Sequence, residues 1–105
     1  HVPKQPNGTA VIGKDEFPHL KKGSVLVNTS RGGVIDEELL LHYLDQGLIR
    51  AACLDVFEGE PQVNPKILSH PAIVCSPHIG AATVEAQARI GLEIAEHIRE
   101  IILER

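Results

Sequence analysis

Ser24-Val25-Leu26-Val27-Asn28-Thr29-Ser30-Arg31-Gly32-Gly33 is the stretch whose reading decides the fold. A continuous apolar run bounded by turn residues reads as a strand covered on both faces, and that implies a parallel sheet between helices. The run ends in three polar residues, an arginine and two glycines, at the place where an α/β sheet presents its chemistry. Arg31 offers a planar fork of donors suited to bidentate capture of a carboxylate or phosphate. The alternative is an arginine that merely decorates a loop.

The same theme recurs downstream. Asp36 can cap a helix whose first turn carries Glu37 and Glu38, with Leu40, Tyr43 and Leu44 as its apolar face and Gly47 as its stop. Residues 51–57 form the next buried strand, ending in Glu58-Gly59-Glu60-Pro61. Residues 62–70 make a proline-bearing connection with one turn at Lys66-Ile67-Leu68, and residues 72–75 a third strand, ending in Ser76-Pro77-His78-Ile79-Gly80. Thr83 can cap a long final helix with Ile90, Ile94, Ile98, Ile101 and Ile102 on one stripe. Upstream, residues 15–20 fit one or two helical turns that end at Lys21-Lys22-Gly23, and residues 1–7 read as a proline-containing loop leaving an earlier strand.

Composition agrees with this α/β reading. The chain has 105 residues, 43% hydrophobic but only 3% aromatic, so one core must be built from Val, Ile, Leu and Ala. The formal charge is −4 and no basic run could track a phosphate backbone, which argues against a nucleic-acid partner. No apolar run reaches the roughly 18 residues needed to span a bilayer, so no membrane partner and a cytoplasmic location are expected. Cys53 and Cys75 lie in apolar segments without metal-type spacing; buried free thiols are expected, with an inter-strand disulfide as the alternative, and no metal site. The chain has no methionine and opens on His1-Val2-Pro3, so it reads as a piece of a longer protein.

In a parallel sheet the carboxyl ends of all strands share one edge, so the tips after residues 28, 54 and 75 should face a common crevice. Arg31, Asp55, Glu60 and His78 would then converge on a site able to bind an acid and move a proton. His78 is the one histidine expected at such a tip. His19, His42, His70 and His97 are expected to be solvated, and the setting of His1 is open. Glu60, with Pro61 stiffening the loop behind it, is the carboxylate expected to orient His78, whereas Asp55, still on its strand, suits a fixed acceptor. The alternative is a set of loop residues that only cap strands and helices.

Three motifs, 28–36, 54–61 and 76–81, closely resemble, in order, those of the D-isomer-specific 2-hydroxyacid dehydrogenases, and Thr83-Val84-Glu85-Ala86-Gln87 is most similar to their D-3-phosphoglycerate dehydrogenase branch. The resemblance implies a Rossmann-type α/β fold, the second half of a dinucleotide-binding domain, with residues 1–82 as a partial NAD-binding domain. Residues 83–105 would be a helix leading back to a substrate domain. It also implies hydride transfer between NAD and a D-2-hydroxy acid. Arg31 would bind the substrate carboxylate and polarise the carbonyl, and His78, paired with Glu60, would move the proton. Thr29, Ser30 and Arg31 would line the nicotinamide and its ribose, Asp55 would hold the carboxamide, and His78, Ile79, Gly80 and Ala81 would close over the ring. His1-Val2-Pro3 resembles the family's loop after an earlier strand, so Val2 and Pro3 would lie close to the dinucleotide.

The family's Gly-rich phosphate turn is not found in these residues, so the isolated chain is expected to bind NAD weakly and to be inactive alone. Its partners would be a small 2-hydroxy or 2-oxo acid and a second copy of itself, as a homo-oligomer. A dinucleotide-sensing corepressor and an inactive scaffold of the same fold are the competing readings.

Overall fold

The computed structural model describes residues 1–103. At its centre, β1 (Ser24–Asn28), β2 (Ile49–Leu54) and β3 (Ile73–Cys75) form a parallel sheet in the order β1-β2-β3. Asn28 pairs with Leu54 and Leu54 with Cys75, so all three strands end level on one edge. Parallel neighbours need a crossover between them, and α1 (Glu37–Asp45) and α2 (Pro65–Leu68) supply it.

α1 begins where the sequence puts its cap: the Asp36 carboxylate accepts from the Leu39 N–H at 3.0 Å. Leu40 and Leu44 turn inward from it and meet Ala52, Leu54, Ile67 and Ile73 in one core, which Phe17 also enters. The Phe17 and Tyr43 ring centroids lie 4.9 Å apart, and Tyr43 packs against the core that Phe17 enters.

Several expectations need correction. The segment expected as one or two helical turns before Lys21 is a single 3₁₀ turn, Phe17–His19, with Pro18 near its start, where the missing N–H costs nothing. β2 stops at Leu54, not residue 57, because β1 and β3 have no further residues to pair with it. Asp55 therefore lies just past the strand, its N–H donating to Asn28 O at 3.0 Å. Val56 and Phe57 are buried all the same, so their apolar signal reports a loop folded onto the core.

β1 is not covered on both faces. Val25, Val27 and Val74 are 49%, 65% and 67% exposed, because among the described residues α1 and α2 pack only on the face that carries Ala52, Leu54 and Ile73. Both cysteines are free, as expected, but half-buried rather than buried. Cys53 sits on the open face in register with Val27 and Val74, whereas Cys75 packs against the core, where burial pushes its thiol pKa up. α3 (Val84–Leu103) starts on the expected cap, with Thr83 Oγ1 accepting from the Ala86 N–H at 3.0 Å. Its isoleucine stripe is present but contributes no buried residue. Among the described residues, no helix is long and apolar enough to cross a membrane.

Candidate functional site

The site is built from the three loops that leave the level edge of the sheet. The first is fastened by Asn28, a buried side chain at the last position of β1. Its Oδ1 accepts from the Ser30 N–H at 3.1 Å and the Ser30 hydroxyl at 2.7 Å, while its Nδ2 donates to Arg31 O at 3.1 Å. An Asx turn of this kind fixes the backbone under Arg31. The Arg31 guanidinium makes one internal hydrogen bond, from Nη1 to Ser30 O at 2.7 Å, and keeps its other donors for a ligand. Gly32 lies directly against the second loop: a Cβ there would fall 1.9 Å from Phe57 O.

The second and third loops are joined by two carboxylates. Asp55 Oδ1 accepts from Ser76 Oγ at 2.7 Å and the Ile79 N–H at 2.9 Å, and its Oδ2 accepts from the Gly80 N–H at 2.8 Å. The Ser76 hydroxyl, followed by the two backbone donors, holds the Asp55 carboxyl below its ordinary pKa. Glu60 Oε1 accepts from the Phe57 N–H at 2.7 Å, and its Oε2 meets His78 Nδ1 at 2.6 Å. The hydrogen bond with His78 is the main reason that the Glu60 carboxyl also lies below its usual range. An ionised carboxylate can only accept, so Nδ1 carries the hydrogen and Nε2 is the nitrogen left for chemistry. His78 has φ 56°, the one positive value among the described non-glycine residues. That left-handed backbone costs about 1–2 kcal/mol and persists because Asp55 and Glu60 grip the loop on either side.

Thr29, Arg31, Asp55, His78, Gly80 and Ala81 line one cavity of about 500 Å³ together with His1, Ala82 and Gln87. A neighbouring cavity of about 350 Å³ is lined by His1, Val2, Pro3, Lys4, Ser30 and Arg31, so Arg31 borders both. Glu60 lines neither and reaches the site through His78. Ile79 contributes its backbone N–H to Asp55, and its exposed side chain lines neither cavity. Among the described residues, no group of three or more His, Cys, Asp or Glu side chains could hold a metal ion.

His70 is not the solvated side chain expected. Its Nδ1 accepts from the Ala72 N–H at 3.1 Å, and its Nε2 lies 2.8 Å from Asp45 Oδ1, which ties the start of β3 to the end of α1. Asn28, Ser76, Glu37 and Glu58, expected only as parts of strand tips or a first helical turn, also fasten the site. The Asn28-x-Ser30 spacing is an Asx-turn signal that could have found the first; the others bond to partners 21 residues away and leave no local trace.

The carboxylates make the loop edge acid-sensitive, with a definite sign. Asp55 and Glu60 have depressed folded-state pKa values, so their contribution is complete above the unfolded values near pH 4 and is lost as pH falls through the folded ones. Glu37, raised mainly by burial, acts oppositely: protonation relieves it, so its term favours folding as pH falls from its raised value towards its unfolded one. Urea midpoints are therefore expected to decline mainly below about pH 4, and Ser76→Ala should flatten the decline. An equally steep decline in Ser76→Ala would contradict this account of Asp55.

The chain matches the family model described as D-isomer specific 2-hydroxyacid dehydrogenase, NAD binding domain, over residues 1–80. It is 42% identical over 102 residues to D-3-phosphoglycerate dehydrogenase of Methanocaldococcus jannaschii, which covers 97% of this chain and 20% of that protein. It is 45% identical over 101 residues to hydroxypyruvate reductase of Thermotoga maritima, covering 93% of the chain and 33% of the relative. The solved glyoxylate reductase from Paecilomyes thermophila superposes with a TM-score of 0.86 at 38% identity, over 96% of this chain and 31% of that one. The chain thus spans between a fifth and a third of the length of these relatives.

Proposed function

Because the chain belongs to the D-isomer specific 2-hydroxyacid dehydrogenase family, as a Rossmann-type NAD-binding segment, we propose that its three loop tips are the reacting corner of a dehydrogenase acting on a D-2-hydroxy acid. The observation that carries this reading is the meeting of Arg31, Asp55 and His78 around one cavity, with Glu60 on the far nitrogen of His78.

The residues fit a nicotinamide. Part of the cavity wall is small, Thr29, Gly80, Ala81 and Ala82, which leaves room for a flat ring beside Arg31, Asp55 and His78. Asp55 accepts three hydrogen bonds, one of them on Oδ2, and a carboxylate has about four acceptor positions, so one remains for the N–H of a carboxamide. Ser30, Val2, Pro3 and Ile79 complete the proposed cofactor contacts. When bound, NAD supplies the hydride chemistry.

Arg31 binds the substrate carboxylate with its fork and draws charge toward the adjacent carbonyl oxygen. His78 Nε2 takes the proton of the hydroxyl in the oxidation direction and returns it in reduction, and Glu60 holds the ring in the tautomer that leaves Nε2 free. A small 2-hydroxy or 2-oxo acid is the substrate class, and D-3-phosphoglycerate is the first to test, on the name of a 42% identical relative. α3 is read as a helix leading toward a substrate domain, with 1–82 as the NAD-binding part. The whole protein is read as a homo-oligomer, cytoplasmic and active in serine biosynthesis.

The test is NADH formation by the whole protein with D- and L-isomers of 3-phosphoglycerate, glycerate and lactate. Turnover of at least one D-isomer and of no L-isomer is expected. Activity on none of them, or on L-isomers, would overturn the reading.

A further inference from the structure

We propose that Glu37 and Glu58 form a two-point clamp that positions the Glu60–His78 pair from behind the site. Glu37, the first residue of α1, is only 5% exposed and lines neither cavity bordered by Arg31. Its Oε2 accepts from the Glu58 N–H at 2.8 Å, and Glu58 Oε2 accepts in return from the Glu37 N–H at 3.2 Å. Two acidic side chains thus exchange backbone donors across 21 residues of sequence.

Helix capping accounts for only half of the arrangement: Glu58 Oε2 satisfies the Glu37 N–H at the start of α1, but the Glu37 carboxylate accepts from the Glu58 N–H and from no N–H of its own helix. Asp36 already caps α1 through the Leu39 N–H, so the helix start does not need the Glu37 carboxylate. The arrangement is also costly, since burial and the nearby Glu58 charge both disfavour an ionised Glu37. What the clamp does hold is the second loop. Among the described residues, Glu58 N–H to Glu37 is the only hydrogen bond from the 57–60 backbone to another element.

From that fixed point the turn closes on itself, Phe57 N–H donating to Glu60 Oε1, and Glu60 Oε2 then meets His78 Nδ1. Gly32 abuts Phe57 O, so the clamp also fixes the second loop against the loop that carries Arg31. Glu37 and Glu58 are positioning residues: neither touches the cavity, and both act through Glu60. The inference rests on the proposed role of Glu60 and His78, but its test reads their contact without cofactor or substrate.

Ring-nitrogen NMR of the whole protein with labelled histidine reports which His78 nitrogen carries the hydrogen. The parent should show a single Nδ1–H form. Glu37→Ala should lose it, giving the averaged tautomer mixture of an exposed histidine, while Glu37→Gln, which keeps an acceptor oxygen, should retain it. In turnover, Glu37→Ala should lower kcat about 10- to 100-fold, part of what a positioned acid/base group supplies, with KM for the acid little changed, and Glu37→Gln should recover most of it. An unchanged ring signature in Glu37→Ala, with Glu60→Ala losing it, overturns the clamp. If Glu37→Ala does not fold, Glu58→Ala decides: a partial shift sustains the clamp and no shift overturns it. If Glu60→Ala also leaves the signature intact, the pairing itself fails and the clamp with it.

Discussion

Arg31→Ala in the whole protein is expected to lower kcat/KM for a 2-oxo acid by about a hundred- to a thousand-fold, the cost of removing one preorganised donor from a developing oxyanion. The backbone beneath Arg31 is set by Asn28 and one guanidinium nitrogen is bonded to Ser30 O, so the fork is aimed before substrate arrives. Pre-aiming is what makes the residue costly to lose. Arg31→Lys restores the charge but not the bidentate geometry, and should recover only a minor part of the loss. Steady-state kinetics on the three proteins checks this. A lysine variant equal to the parent would mean that Arg31 supplies only a diffuse positive charge.

Gly32→Ala should be the most destructive of the glycine-to-alanine changes in the chain. The added carbon would sit 1.9 Å from Phe57 O and 2.4 Å from Phe57 C, both backbone atoms of the neighbouring loop. No rotamer change relieves such a clash, so the two loops must separate or the chain must unfold. A loss of at least about 3 kcal/mol is expected, at the severe end for overpacking, read as a lowered urea midpoint. Any folded remainder should also lose the Glu60–His78 contact, because Phe57 N–H is bonded to Glu60. Gly8→Ala, with nothing within 4 Å of its added carbon but a φ of +75°, provides the comparison: backbone strain of about 1 kcal/mol and no effect on the site. Near-parental stability in Gly32→Ala would contradict the loop packing described above.

The parallel sheet and its three tips were legible because each strand is an apolar run closed by polar residues, a signal that lies wholly within the run. The end of β2 was less legible. Val56 and Phe57 are as apolar as the strand before them, and only the ends of β1 and β3 reveal that the ladder stops at Leu54. Coverage of β1 is hidden for a similar reason: Val25-Leu26-Val27 reads as buried on both faces, while among the described residues α1 and α2 cover one.

At the site, Arg31, Asp55, Glu60 and His78 could be found from the sequence because each stands at or beside a strand tip. The residues that fasten them could not. Ser76 holds Asp55, and Glu37 holds Glu58, across 21 residues, and no periodicity or spacing encodes a partner at that distance. His70 shows the same limit, since its pairing with Asp45 spans 25 residues.

The most direct test of the central claim follows a single atom. The whole protein, given NAD and a D-2-hydroxy acid carrying deuterium on its carbinol carbon, should place that deuterium on the nicotinamide ring, and His78→Ala should slow the transfer about 100-fold or more. No transfer from any D-2-hydroxy acid, or a transfer rate that His78→Ala leaves unchanged, would contradict the account.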